Sequence, residues 1–278
     1  MTLKIDEITE NLVASPPTVY FKLKQALENP DATFEDFAKI ISNDPALAAR
    51  LLKIVNSPFY GMSSKVETIT HALNIIGTSE LSDLALATSV ISKFQGMPED
   101  LVTLREFWVH SIAVGLAARR IARRLRADNE ERYYLAGMMH DLGRLVLFKE
   151  AAEKAKEALS EFYRSGDSML DAEKKVLGFN HAEVGATLLR EWKVPASLVE
   201  AIQFHHDPFQ SQSHTLEAGI VHVADFMVYE MGLGNSGEPT LPALHSRTLK
   251  FLKLTEDFIR ESRNQIQEQT ENAVRLFL

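Results

Sequence analysis

From Thr33 to Leu278 the apolar residues of this chain return every three or four positions and nowhere alternate, which leaves helices as the regular structure it can build. Thr33, with Asp36 three places on, opens a segment in which Phe34, Phe37, Ala38, Ile40 and Ile41 fall on helical spacing, closing near Ser42 and Asn43. Asp44 as a cap and Pro45 at the first helical position restart the chain into Leu47, Leu51, Leu52 and Val55, a stripe that stops at NSPFYG. Helices are expected from about Val66 to Phe94 with a break at GTSE, then over 99–126, 130–142, 146–165, 167–177, 181–192, 195–206 and 214–231, and last from Thr255 to Leu278. The stretch GLGNSGEPTLP, 232–242, is rich in turn formers and is expected to be a surface loop. Gly96, Met97 and Pro98 mark a domain edge. The expected architecture is therefore all-α, with an N-terminal helical part over 1–97, a second helical part over 98–254 and a terminal helix over 255–278.

Composition narrows the chemistry. With 45% apolar residues in 278, the chain can bury one large core or two modest ones. It has no cysteine, so disulfides, thiolate metal sites and cysteine nucleophiles are excluded and any metal must sit on His, Asp or Glu. This fits a reducing cytoplasm. The opening MTLKIDEITENL has no cleavable-signal pattern, and no run approaches the roughly 18 apolar residues of a membrane span, so the expected location is cytoplasmic with no membrane partner. A net charge of -8 opposes a polyanion. The short helix pair between Asp31 and Tyr60 invites a helix-turn-helix reading, but it carries four acids (Asp31, Glu35, Asp36, Asp44) against three bases (Lys39, Arg50, Lys53), so no nucleic-acid partner is expected. In RRIARRLR, Arg119, Arg120, Arg123 and Arg124 make a basic flank, read as a solvated helix face.

The histidines carry the chemistry. Five of the nine fall in local patterns across the second half: His110 in WVHS, His140 beside Asp141 in AGMMHDLGRL, His181 in FNHAE, and the adjacent His205 and His206; Asp225 in HVAD completes the set. A single His–acid neighbour means little, because this composition yields about one such step by chance. The series matters more, since each member lies on or near the end of a different helix, which is how bundles assemble metal sites. Imidazoles and carboxylates suit iron, manganese, nickel or zinc, as one ion or two, and a shared aspartate can bridge a pair. Each residue also has a plainer reading. His110 fits a hydrogen-bonded core histidine, His181 a first-turn polar residue, and Asp141 a cap where a helix ends before Gly143. Asp225 can pair with His222 three positions earlier. His71, His214 and His245 are assigned to structure or surface, and Met138-Met139 to core packing.

The order His110, His140-Asp141, Asp225 resembles the H...HD...D signature of the HD superfamily of metal-dependent phosphohydrolases, and His181 with His205-His206 resembles its binuclear HD-GYP branch. More narrowly, DPALAARLLKIVNSPFYG over 44–61, together with WVHS, AGMMHDLG, HAEVGATLLREWKVP and AIQFHH, is similar to the HDOD family, the HD-related output domains of bacterial signalling. The resemblance covers nearly the whole chain. It implies a bacterial, cytoplasmic, all-helical protein, with an N-terminal helical subdomain packed on an HD-type bundle, that acts through signalling proteins or a nucleotide or phosphate ligand, as a rule without catalysis. Two departures bear on activity. HD-GYP enzymes carry a lysine after the HD glycine and a GYP loop beyond the histidine pair, where this chain has Arg144 and DPFQSQS. The metal-ligand positions are nonetheless filled, by His110, His140, Asp141, His181, His205, His206 and Asp225. The resemblance thus implies a regulatory HDOD protein with a retained divalent-metal centre. The alternative is a metal-dependent phosphohydrolase or cyclic-dinucleotide phosphodiesterase in which Asp141 bridges two ions and Arg144 steadies the phosphate.

Overall fold

A computed structural model describes residues 3–13, 17–57, 60, 62, 64–97 and 99–277. Pro58, Phe59 and Gly61 of the NSPFYG stretch, Pro98 of the expected domain edge, and Leu278 lie outside the described residues. Among the described residues there are helices and no strand. The chain runs through α1 (Ile5–Val13), α2 (Thr18–Glu28), α3 (Phe34–Ser42), α4 (Pro45–Val55), α5 (Ile69–Ile76) and α6 (Thr78–Lys93). It continues through α7 (Leu104–Leu125), α8 (Glu130–Met139), α9 (Leu142–Glu150), α10 (Ala152–Ser165) and α11 (Met169–Leu177). Then come α12 (His181–Glu191), α13 (Ala196–Gln203), a 3-10 turn at Pro208–Gln210, α14 (Thr215–Met231), α15 (Ser246–Phe251) and α16 (Glu256–Phe277). No helix is long and apolar enough to cross a membrane, among the residues described.

Two compact units share these helices: residues 17–95 with 265–278, and residues 1–16 with 96–264. In the first, Thr33 and Asp36 close a reciprocal capping box at the start of α3, and the Asp44 side chain accepts the Ala46 and Leu47 N–H groups ahead of Pro45. The stripes these caps set in register bury Ile41, Leu51 and Val55 completely, each side chain worth about 1.5–3 kcal/mol of apolar transfer. Asn56 clasps the far end of the motif. Its amide donates to the Leu52 and Val66 carbonyls at 2.8 and 2.7 Å and accepts the Val66 N–H at 2.7 Å. The expected break at GTSE falls at Gly77, whose φ of 91° separates α5 from α6.

The larger unit is a helical bundle in which α7 packs on α8 and α14, and α9 packs on α12. Both close pairings are made at glycines. A Cβ on Gly115 or on Gly137 would stand 2.7 Å from a backbone carbonyl of the facing helix, and a Cβ on Gly143 would overlap the His181 carbonyl, so the α7–α8 and α9–α12 backbones touch directly. Gly143 is therefore no helix terminator. It is the second residue of α9, which begins at Leu142 rather than near 146, and α8 ends at Met139. The α7–α8 pair is also clasped by charge, Arg119 to Glu131 at 2.8 Å and Arg123 to Glu130 at 2.7 Å, while Arg120 donates to Ser262 Oγ at 2.7 Å. These three arginines are partnered; Arg123 and Arg124 are exposed as a solvated face requires, while Arg119 and Arg120 are partly buried.

Helix α1 belongs to this unit, and Trp192 reaches it. The indole N–H, fully buried, donates to the Leu12 carbonyl at 3.2 Å. Trp192→Phe is expected to cost about 1 kcal/mol, the net worth of one such bond, and to speed amide exchange in Ile5–Val13 before any other helix of the unit. Urea denaturation together with exchange mass spectrometry would register both effects.

Candidate metal centre

Seven side chains converge within the larger unit because five pieces of backbone end or cross at one place. α7 supplies His110. The joint between α8 and α9 supplies His140 as the last cap of one helix and Asp141 as the N-cap residue of the next. His181 is the first residue of α12, and Asn180 fixes that start by accepting the Glu183 N–H while Glu183 accepts the Asn180 N–H, each at 2.9 Å. His205 and His206 follow the end of α13, and α14 supplies Asp225.

The donor atoms form two groups, one of His110, His140 and Asp225 and the other of Asp141, His181, His205 and His206; within each group all ligand atoms lie within 4.8 Å of one another. His110 Nε2 is 3.1 Å from Asp225 Oδ1, and His140 Nε2 is 3.5 Å from the same oxygen. Asp141 faces both groups. Its Oδ1 is 3.1 Å from His181 Nε2 and 3.8 Å from His205 Nε2, and its Oδ2 is 3.4 Å from His140 Nε2. Its carboxylate makes no cap hydrogen bond to α9, so the cap reading does not describe what it does.

Backbone carbonyls fix the imidazoles. His140 Nδ1 lies 2.7 Å from the Gly137 carbonyl and His205 Nδ1 lies 2.6 Å from that of Ile202. A carbonyl only accepts, so both Nδ1 atoms carry hydrogen and both Nε2 atoms face the cluster. His181 is held by Glu173, which accepts its backbone N–H at 2.8 Å and its Nδ1–H at 2.7 Å. His222 does not pair with Asp225: its Nδ1 donates to the His205 carbonyl at 2.8 Å, and its Nε2 accepts the His245 N–H at 3.1 Å.

The residues present fit a divalent cation. Among the described residues three buried atoms, His140 Nε2, Asp141 Oδ1 and His205 Nε2, make no well-directed hydrogen bond and have only other cluster side chains as polar neighbours, at 3.1–3.8 Å, an expensive arrangement for polar groups that a cation would relieve. All are hard or borderline donors of the kinds that Fe, Mn, Ni and Zn accept.

Electrostatics agree. Burial opposes the charge on Asp141, but Arg144, His140 and His181 outweigh it and hold the carboxyl well below its usual range; His110 and His140 do the same for Asp225. Burial also pushes down His140, yet Asp141 and Asp225 raise it to about 10; His181, lowered by burial and by Arg144, is raised by Glu173 and Asp141 to about 9. His205 goes the other way, to about 3, through burial and the neighbouring His140 charge, and burial beside His205 lowers His206. Without a cation, His140 and His181 are thus protonated at neutral pH, and a metal must displace those protons. Because both pKa values lie above 7, metal affinity is expected to rise with pH until about 9–10 and then level off. Loading near pH 7.5 should release about two protons, counted by calorimetry in buffers of different ionisation heat.

Arg144 does not face solvent. It is 1% exposed and lies among three carboxylates: Asp141 at 3.2 Å, Glu173 at 3.6 Å, and Glu238, which its terminal nitrogen touches. Glu238 comes from the 232–242 stretch, which is not a plain surface loop. Gly234 packs on the backbone of Glu106 and His110, Asn235 donates its N–H to the Glu106 carbonyl at 3.1 Å, and Ser236 is buried. Glu173, Glu238 and the Gly143–Gly185 contact were all absent from the sequence reading. Only Glu173 carries a local signal, being a carboxylate on the apolar stripe Met169, Ala172, Leu177.

A family model described as HDOD domain matches residues 13–208. An uncharacterized protein of Treponema pallidum (strain Nichols) is 30% identical over 196 residues, which are 69% of this chain and 37% of that protein, so the chain spans little more than a third of this relative's length. The crystal structure of an HDOD domain protein with unknown function from Geobacter sulfurreducens superposes with a TM-score of 0.80 at 20% identity, covering 99% of this chain and 98% of that one. A Shewanella amazonensis SB2B structure called a "putative phosphohydrolase" gives 0.75 at 23% identity, with 98% of each chain covered. At these identities the two structures establish a shared fold.

Proposed function

The chain belongs to the HDOD domain family, and from that premise we propose that it is a signalling module whose larger unit holds a divalent metal and a small ligand without hydrolysing a substrate. The observation that carries this reading is the set of buried atoms on His140 and Asp141, at the α8–α9 joint, and on His205, beyond α13, whose polar neighbours among the described residues are other side chains of the cluster. His110, His140 and Asp225 would hold one ion, and Asp141, His181, His205 and His206 a second. When bound, a divalent ion supplies positive charge that ties α7, the α8–α9 joint, α12, the end of α13 and α14 into one rigid body. The side chains prepare for it by keeping Nε2 atoms inward, by excluding water from the carboxylates, and by fixing the imidazoles through the Gly137 and Ile202 carbonyls and Glu173. Occupancy then biases the surface offered to a signalling partner.

Closure of the site argues against turnover. Catalytic metal sites keep an open position for substrate, whereas His140 and His181 are wholly buried here and Glu238 covers Arg144. The hydrolase reading is favoured by one observation, that the two oxygens of Asp141 divide between the two groups as a bridging carboxylate would. Elemental analysis of the purified protein, paired with assays on nucleotides and cyclic dinucleotides, separates the two. Bound metal with no turnover supports the module; turnover that vanishes in Asp141→Ala supports the hydrolase; absence of metal sinks both.

A further inference from the structure

We infer that the 232–242 strap is a displaceable internal anion: the Glu238 carboxylate sits on Arg144 in the place of a compact oxyanion ligand, and such a ligand binds by exchanging with it. Three carboxylates surround one guanidinium, but they are not alike. Asp141 and Glu173 also contact His140 and His181 and are set by helices α8, α9 and α11. Glu238 arrives on a segment without helix, and among the described residues its carboxylate pairs with Arg144 alone. Burial pushes the Glu238 carboxyl up in pKa, so the contact is kept against a cost in hydration. The guanidinium fork that receives it is shaped for two oxygens of a carboxylate or a phosphate, and a phosphate brings more charge than the glutamate it replaces.

The strap is fastened in a way that permits exchange. Its attachments are the Asn235 N–H to Glu106 bond at 3.1 Å, a 3.4 Å contact from the Tyr229 hydroxyl to the Glu238 carbonyl, and Gly237 resting near the Phe148 ring. Its apolar content is small, and Leu241 is 47% exposed. Gly234, at φ 71°, is where the strap meets α7; a side chain there would collide with the backbone of Glu106 and His110, so the closed position is built rather than incidental. Opening therefore breaks a few polar contacts and leaves the helices standing.

The inference rests on the reading of the buried cluster as a ligand site, but it does not need the metal. Hydrogen exchange of the protein as purified, titrated with inorganic phosphate, with acetate, and with sodium chloride at matched ionic strength, tests it. Phosphate or acetate is expected to deprotect amides 233–238, with the more effective anion naming the ligand class. Glu238→Gln is expected to show that deprotection without added anion and to bind phosphate about tenfold more tightly, as when the open strap is populated about one time in ten. Unchanged strap exchange in wild type at saturating phosphate, equal opening by chloride, or equal phosphate affinity of wild type and Glu238→Gln would each overturn the inference. The wild-type arm stands even if the variant does not fold. Metal content measured on the same samples separates the two readings: strap exchange in metal-free protein leaves this inference intact and removes the metal.

Discussion

Asp141→Ala is expected to lose the ion assigned to Asp141, His181, His205 and His206 and to destabilise the larger unit by about 3 kcal/mol, the lower end of the range for removing one partner of a buried charge pair. Among the described residues Asp141 is the carboxylate that lies within 4 Å of three imidazoles, 3.1 Å from His181, 3.4 Å from His140 and 3.8 Å from His205, and it also pairs with Arg144. Its removal takes a donor from one group and leaves the guanidinium with Glu173 and Glu238. The lower figure applies because those two remain. Asp141→Asn keeps the volume and separates charge from packing; it should lose the same ion with a smaller stability change. Elemental analysis and urea denaturation give the two readings, and wild-type metal content in Asp141→Ala would mean that the metal, if any, is held elsewhere.

Gly143→Ala is expected to cost about 3 kcal/mol, at the upper end of overpacking penalties, and to lower the melting temperature by roughly 6–12 °C. The added methyl would overlap the His181 carbonyl and stand 2.7 Å from the Gly185 nitrogen, and both obstacles are backbone that cannot rotate aside. Relief comes only by parting α9 from α12, which draws His181 away from Asp141, so metal uptake should fall along with stability. Gly166→Ala is the control. Gly166 has φ 73° but open space around the position, so its alanine meets only the backbone strain of about 1 kcal/mol and leaves metal uptake unchanged. Equal effects at the two glycines would refute steric contact as the reason for glycine at 143.

Helices were legible wherever a cap met a stripe. Thr33 with Asp36, and Asp44 with Pro45, are local signals, and α3 and α4 start where those residues place them. α1 and α2 precede the segments which that spacing covers. The metal-competent residues stood out as a series, each on or near the end of a different helix, and the structure brings the seven together in two adjoining groups. What surrounds them was hidden for physical reasons. A helix does end before Gly143, at Met139, but close backbone approach leaves no trace in sequence, so the packing of Gly143 against α12 was not legible. Glu238 was masked by turn-forming neighbours. His222 has an acid at helical spacing, Asp225, yet its partners are backbone groups of His205 and His245, which no periodicity reveals.

One arrangement has a wider effect. α9 and α12 both begin at the cluster, with Asp141 at the head of one and His181 as the opening residue of the other, and the first amide of α12 points at Glu173. The partial positive charge of the two helix starts thereby falls on Asp141, a would-be ligand, and on Glu173, the carboxylate that holds the would-be ligand His181. A pocket built this way would, without the proposed ion, have part of its mutual repulsion already damped, and reversible loading without unfolding would require that of it.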